Sequence, residues 1–320
     1  MPGRTKAIFA ALLVIGCVHA APRPSPAISE DAPYLMVLGI AQDGGFPQAG
    51  CNREHCEPLW ENPSARRHVA SLAIIDPQSG ERWLIDATPD FREQLRMLDR
   101  EIPSASSQLL SGIFLTHAHV GHYAGLINLG REILGARGIP VHGMPRMRRF
   151  LESNGPWDQL VRLGNISLRP LEDGVTVRLN DRIRVTPIVV PHRDEYSETV
   201  GFVIEGGGRS AFYLPDIDKW ERWSTPIEQV LARVDVAWLD GTFHRDGEIA
   251  GRSMAEIPHP FIEETLRRFA TLPAKERAKV RFIHLNHTNP AMKAGSEARR
   301  EIERAGCRVA EQGERFPLAQ

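Results

Sequence analysis

The chain reads as one layered αβ domain. Strand-like apolar runs alternate with helical patterns along nearly the whole sequence, several strand runs stand in adjacent pairs, and His and Asp recur at the ends of apolar runs. Strands alternating with helices require helices packed on sheet faces, and adjacent strand pairs add hairpins to the same sheet.

In chain order, residues 1–20 (MPGRTKAIFAALLVIGCVHA) form a processing segment. Arg4 and Lys6 are its charged start, Ala7 to Val18 is an apolar run too short to span a bilayer comfortably, and Val18-His19-Ala20 supplies small residues at a cleavable site. Val14-Ile15-Gly16-Cys17 also resembles a lipobox, in which Cys17 would be lipidated. Export to the periplasm or the medium, either soluble or lipid-anchored at Cys17, is the expectation. Residues 21–32 hold Pro22, Pro24 and Pro26 and read as a stiff linker.

The body, 33–315, carries strand patterns at Leu35–Ala41, Val69–Ile75, Trp83–Ile85, Ile113–Leu115, Ile183–Val190, Val200–Ile204, Ala211–Leu214, Val234–Leu239 and Val280–Leu285. Helical patterns fall at Phe91–Leu98, Tyr123–Leu134, Met147–Glu152, Pro226–Ala232, Pro260–Ala270 and Glu297–Ala305, with Asp90 and Ser296 as N-caps. No repeat, low-complexity tract or second linker divides it, so a single domain is expected.

Composition narrows the function. With 39 Lys+Arg against 40 Asp+Glu the net charge is −1, and 42% hydrophobic residues are ordinary for a globular protein. A disordered chain, a collagen-like chain and a polytopic membrane protein are excluded, and nucleic-acid binding through bulk positive charge is disfavoured. A small-molecule substrate is the expected partner, with any membrane contact made through the N-terminal anchor alone.

The twelve His are the informative count. Ile113–Leu126 reads IFLTHAHVGHYAGL: a strand run ends at Thr116, His117, His119 and His122 follow, and a helical pattern begins. Imidazoles at such a junction can converge on one or two metal ions. His192, Asp216, Asp86 and the pair His284 and His287 each stand at or near the end of another apolar run. Strand ends along one sheet edge are where αβ folds collect their sites. Asp216 could equally cap a helix, and His284 read alone suits a hydrogen-bonded core histidine. Asp43-Gly44-Gly45 and Asp240-Gly241-Thr242 read either as pocket walls or as ordinary tight turns.

The order His-x-His-x-x-His, His, Asp, His resembles the metallo-β-lactamase superfamily, whose central motif is His-x-His-x-Asp-His. Leu38 to Cys51 (LGIAQDGGFPQAGC), Asp86-Ala87-Thr88-Pro89-Asp90, Asp240-Gly241-Thr242-Phe243 and His287-Thr288-Asn289-Pro290 are similar to the branch that contains the PQQ-biosynthesis protein B. RNase Z enzymes and the phosphonate-pathway cyclic phosphodiesterase are more distant members. The resemblance covers about Leu35 to Ala310 and implies an αββα four-layer sandwich with metals at one edge. It implies a first metal site of His117, His119 and His192, a second holding His122 and His287, and Asp216 bridging. Asp216 and His259 would be the catalytic groups, His259 protonating a leaving group or touching substrate. Zinc, one or two ions, is the implied cofactor, with iron or manganese as alternatives.

Two departures stand out. Gly121 replaces the motif Asp, which removes a second-site carboxylate; Asp86, Asp90 and Asp218 are the compensating candidates. Conversely, His117 and His119 are both present where the PQQ branch typically has a degraded His-x-His. The resemblance also places a structural zinc knuckle at Cys51-Asn52-Arg53-Glu54-His55-Cys56, with Arg53 at its middle Cys position. Cys51 and Cys56 therefore form either a zinc site with His55 or, in an exported protein, a disulfide. Cys307 reads as a small buried hydrophobe. An exported metallohydrolase acting on an ester, phosphodiester or similar bond is the leading expectation. An iron-dependent oxidative or carrier role like that of the PQQ branch, and a non-catalytic metal-binding protein, are the alternatives.

Overall fold

The computed structural model describes residues 31–103, 109–249, 251, 253–254 and 256–319. The leader at 1–20 and nearly all of the Pro-rich linker lie outside the described residues. Among the described residues, two seven-stranded sheets stack face to face.

The first sheet runs in the order β14-β1-β2-β3-β4-β5-β6. Its strands are β1 (Tyr34–Gly39), β2 (Ser71–Asp76), β3 (Glu81–Ile85), β4 (Gly112–Phe114), β5 (Ile139–Gly143), β6 (Ile166–Pro170) and β14 (Arg315–Pro317). The second sheet, in the order β13-β12-β11-β10-β9-β8-β7, comprises β7 (Val177–Arg178), β8 (Ile183–Val190), β9 (Thr199–Gly206), β10 (Arg209–Leu214), β11 (Val236–Asp240), β12 (Val280–Ile283) and β13 (Arg308–Val309).

Strand β1 shows why the sandwich forms. All of its residues are buried. Leu35 and Val37 face the second sheet, while Tyr34, Met36 and Leu38 face the helical layer that includes Phe91–Glu101 and Pro145–Ser153. A period of two along a strand with both faces covered yields a continuous apolar run. On the far side, Ile227, Leu231, Ile262, Leu266, Phe269 and Ile302 bring helices onto the second sheet. Helix, sheet, sheet, helix is the four-layer order implied by the sequence. No helix among the described residues is long and apolar enough to cross a membrane.

Several local expectations are corrected. Tyr123–Leu134 is not one helix; a short turn at Val120–Tyr123 passes into a 3-10 segment, Ala124–Leu129. Gly125 is drawn against the Ala87–Thr88 backbone, where a Cβ would lie 2.0 Å from the Thr88 carbonyl, and this docking overrides the 3.6-residue pattern. Ser296 does cap its helix, accepting from Arg299 N. Asp90 does not; its Oδ2 accepts from Val69 N at 2.8 Å instead. The body also continues past 315, because β14 pairs with β1 and Leu318 N donates to Pro33 O.

One geometric consequence organises the site. Strands β1, β3 and β4 share one direction in the first sheet, and β8, β10, β11 and β12 share one in the second. Their C-terminal ends meet at one edge of the sandwich, where an Ala41–Leu285 bridge links the extensions of β1 and β12.

Candidate metal centre

Each C-terminal strand end contributes to a buried cluster. Asp43 follows β1, Asp86 follows β3, His117, His119 and His122 follow β4, and His192 follows β8. Asp216 follows β10, Asp240 ends β11 and His284 follows β12. Asp86 and His284 hold left-handed backbone, with φ of 68° and 64°. Non-glycine residues in that region store strain that surrounding contacts must maintain, and such residues concentrate at functional sites.

Three neighbouring ligand-like groups stand at this edge. In the first, His117 Nε2 lies 2.9 Å from His119 Nδ1 and 3.3 Å from Asp216 Oδ2, while His192 Nε2 lies 3.3 Å from Asp216 Oδ1. In the second, His122 Nε2 and His284 Nε2 stand 3.6 and 3.8 Å from Asp43 Oδ1, and 3.8 and 3.9 Å from Asp216 Oδ2. Asp216 therefore faces both. In the third, His259 Nδ1 is 2.7 Å from Asp240 Oδ2 and 3.1 Å from Asp216 Oδ1.

Four of the imidazoles have their outer nitrogen hydrogen-bonded by a neighbour, and His192 has a carboxylate beside it. Thr116 Oγ1 holds His117 Nδ1 at 3.0 Å, Asp86 Oδ2 holds His122 Nδ1 at 2.8 Å, and Thr242 Oγ1 holds His284 Nδ1 at 2.9 Å. Asp218 Oδ1 stands 3.3 Å from His192 Nδ1, and Glu195 Oε2 lies 3.0 Å from His119 Nε2. Asp86 is itself fixed, accepting from Thr116 N and Oγ1. This outer shell orients each ring and leaves the opposite nitrogen facing inward, as metal-ligating histidines require.

The inward atoms are the test of fit. His122 Nε2, His192 Nε2, His284 Nε2, Asp216 Oδ1 and Asp43 Oδ1 are buried without a hydrogen-bond partner among the described residues. Orphaned buried polar atoms are costly and rare, so this many facing one another need an explanation. Nitrogen and carboxylate donors of this kind suit zinc, iron or manganese. The residues fit a metal centre.

Among the cluster's own groups charge is unevenly shared: against the opposing effect of burial, the Asp86 carboxylate raises the pKa of His122 to about 9, and Asp216 and Asp218 raise that of His192 to about 9. Burial and the neighbouring His122 hold His117 well below the ordinary histidine pKa. Burial opposes charge on His259, but the Asp240 and Asp216 carboxylates outweigh it and raise its pKa well above the ordinary value. Burial likewise opposes ionisation of Asp43, and the His284 and His122 imidazoles overcome it and hold the carboxyl below its usual range. The cluster meets solvent at His119, whose side chain is 15% exposed, and at Asp43, 30% exposed.

His117, His119, His122, His192, Asp216 and His259 are thus brought together. His287 is not. It lies beyond the end of β12, its ring 5.6 Å from that of His55, and lines an open cleft with Gln48, Arg53 and Asn286. His284 stands in the cluster instead, because its left-handed backbone turns the side chain inward right at the strand end. The reading of His284 as a hydrogen-bonded core residue accounts for its Nδ1 alone. The compensating carboxylate is not Asp86, Asp90 or Asp218; the first and last back His122 and His192, and Asp90 serves the Val69 amide. Asp43 faces the second group, a residue whose place at a strand end was the available signal. Cys51 and Cys56 are joined as a disulfide, and Cys307 is buried.

Comparison with known proteins agrees with this fold. A β-lactamase superfamily domain matches residues 81–285. Coenzyme PQQ synthesis protein B of Methylobacterium sp. (strain 4-46) is 27% identical over 302 residues, spanning 87% of this chain and 97% of its own. Among solved structures, Zn(2+)-bound PqqB from Methylobacterium extorquens superposes with a TM-score of 0.75 at 23% identity, covering 89% of this chain and 100% of its own. A diphosphatase from the PhnP family superposes with a TM-score of 0.61 at 22% identity, covering 89% and 96%. With the family match spanning more than half of its length, the chain belongs to the β-lactamase superfamily, as a homologue of coenzyme PQQ synthesis protein B.

Proposed function

We propose that this chain is an exported metal-dependent hydrolase that carries two ions at the sheet edge. The carrying observation is the convergence of unpartnered imidazole nitrogens and carboxylate oxygens on Asp216, with His117, His119, His122 and His284 hydrogen-bonded from outside. His117, His119 and His192 would hold one ion, with Asp216 shared between it and the His122–His284 group. When bound, such metals lower the pKa of a water and polarise the electrophile.

The chain's own groups supply the remainder. Asp216 presents an oxygen to both ligand groups. His259 has Nδ1 committed to Asp240 and Asp216, whose carboxylates favour its charged form; Nε2 is the nitrogen that would hand a proton to a departing alkoxide or amine. Burial of Asp240, with its Oδ1 accepting from Thr242 N and Oγ1, keeps that pair oriented. Access past His119 and Asp43 suits a small substrate with an ester, phosphodiester, lactone or thioester bond. Export is supported by the charged and apolar leader and by the Cys51–Cys56 disulfide, which belongs in an oxidising compartment.

The test is hydrolysis of bis(p-nitrophenyl) phosphate and of a small lactone and thioester panel, with zinc- or manganese-loaded protein. Turnover abolished in the His117→Ala/His119→Ala variant is the expected result. A fully loaded protein inert towards the whole panel would count against catalysis and favour a binding role.

The homology to coenzyme PQQ synthesis protein B supports a second reading, a role in PQQ synthesis, for which we propose an iron-dependent oxidative step. The same donors suit iron. Elemental analysis of protein expressed with balanced metals separates the two: zinc or manganese supports hydrolysis, and iron supports redox chemistry.

A further inference from the structure

We infer that Asp43 takes the place of the carboxylate missing from the central His motif, and that Gly121 is required to admit it. The inference rests on the two-ion reading above.

Gly121 lies in the short helical turn Val120–Tyr123, and its φ is not in the left-handed region. Its backbone conformation therefore does not call for glycine, and glycine is a poorer helix residue than alanine. Space does call for it. A Cβ at position 121 would lie 2.0 Å from Asp43 Oδ1, 2.8 Å from Asp43 Cα and 2.9 Å from Asp43 Cγ. A side chain at 121 and the carboxylate of Asp43 compete for the same volume.

The Asp43 carboxylate is held there by its loop. Gln42 N donates to Leu285 O at 2.8 Å, Gly45 N donates to Gln42 O at 2.8 Å, and Asn286 Nδ2 donates to Gln42 Oε1. Gly45 has a φ of +71°, which permits the turn. Oδ1 then faces the unpartnered Nε2 atoms of His122 and His284, both on fully buried side chains. The other nearby acids are engaged elsewhere: Asp86 backs His122, Asp218 backs His192, and Asp240 holds His259. Asp43 is the carboxylate left to complete a His122–His284–Asp216 set. A motif ligand from the β4 strand end has been exchanged for one from the β1 strand end.

The experiment is cobalt(II) titration of the metal-free protein, read by the visible absorption of the bound ion and by elemental analysis. Wild type should take up two equivalents. Asp43→Asn keeps the shape and removes the charge; it should retain one tight equivalent, with the second step weakened about 100-fold or more, since even an outer-shell partner is worth 10–100-fold. Gly121→Ala leaves Asp43 in the sequence but forces it out, and should lose the same equivalent. Asp43→Gly/Gly121→Asp should recover the second step to within about tenfold of wild type. Two equivalents at wild-type affinity in either Asp43→Asn or Gly121→Ala would overturn the inference alone. Wild type binding fewer than two would overturn the two-ion reading and the inference with it.

Discussion

Asp86 Oδ2 lies 2.8 Å from His122 Nδ1, and both side chains are fully buried. The carboxylate accepts from Nδ1–H, so Nε2 is the nitrogen that points at Asp43 and Asp216 and would be offered to a metal. In Asp86→Asn, an amide NH2 placed against Nδ1 would favour the opposite tautomer, with a proton on Nε2. Affinity for the second ion should fall about 10- to 100-fold. Competition with a colorimetric chelator measures it; the first ion should be nearly unaffected.

The neighbouring histidines at the end of β12 should behave differently. His284→Ala should remove the second equivalent of metal, because His284 Nε2 faces Asp43 and Asp216. His287→Ala should leave both equivalents in place, since that ring packs near His55. Metal content by elemental analysis of the two purified variants decides it.

His259 and Asp240 should matter to turnover more than to metal. Loss of a positioned proton donor typically costs 10²–10⁴ in rate. His259→Ala should lower kcat by about that factor for substrates with poor leaving groups, and by much less for p-nitrophenol esters, whose leaving group needs no proton. Equal losses for both leaving groups would assign His259 a purely structural role.

His142 should make the fold acid-sensitive. Burial, then the charge of Arg169, lowers its pKa from 6.5 to about 4, and its ring stacks on Phe114 with centroids 4.2 Å apart. The folded state binds this proton less readily than the unfolded chain. The contribution is therefore intact above about pH 6.5 and is lost as pH falls from there towards 4. The loss at pH 4 is of the order of 2 kcal/mol, allowing for partial exposure. Urea midpoints at pH 7.5 and 5 for wild type and His142→Phe measure it; the variant should show the smaller drop.

Much of the fold was legible because its strands are buried on both faces. β1 and the 72–75, 211–214 and 236–239 stretches of β2, β10 and β11 appear as unbroken apolar runs. β5 and β6 were not legible. Pro140 and Gly143 interrupt the first, and the second is an edge strand ending in Arg169 and Pro170, with little to bury on its outer side. β14 is a three-residue edge strand ending in Pro317 and leaves no periodic signal.

For the site, the sequence alone determined that His117, His119, His122, His192 and Asp216 stand at the ends of strands, and strand ends of one direction share an edge. Tertiary structure decided the membership of the second group. His284 and His287 sit three residues apart on the same segment, and only the backbone turn at the strand end sends one inward and the other to the cleft. Asp43 and Gly121 are 78 positions apart in the chain. That one leaves room for the other depends on the close approach of the β1 and β4 extensions, a packing distance that no local pattern encodes.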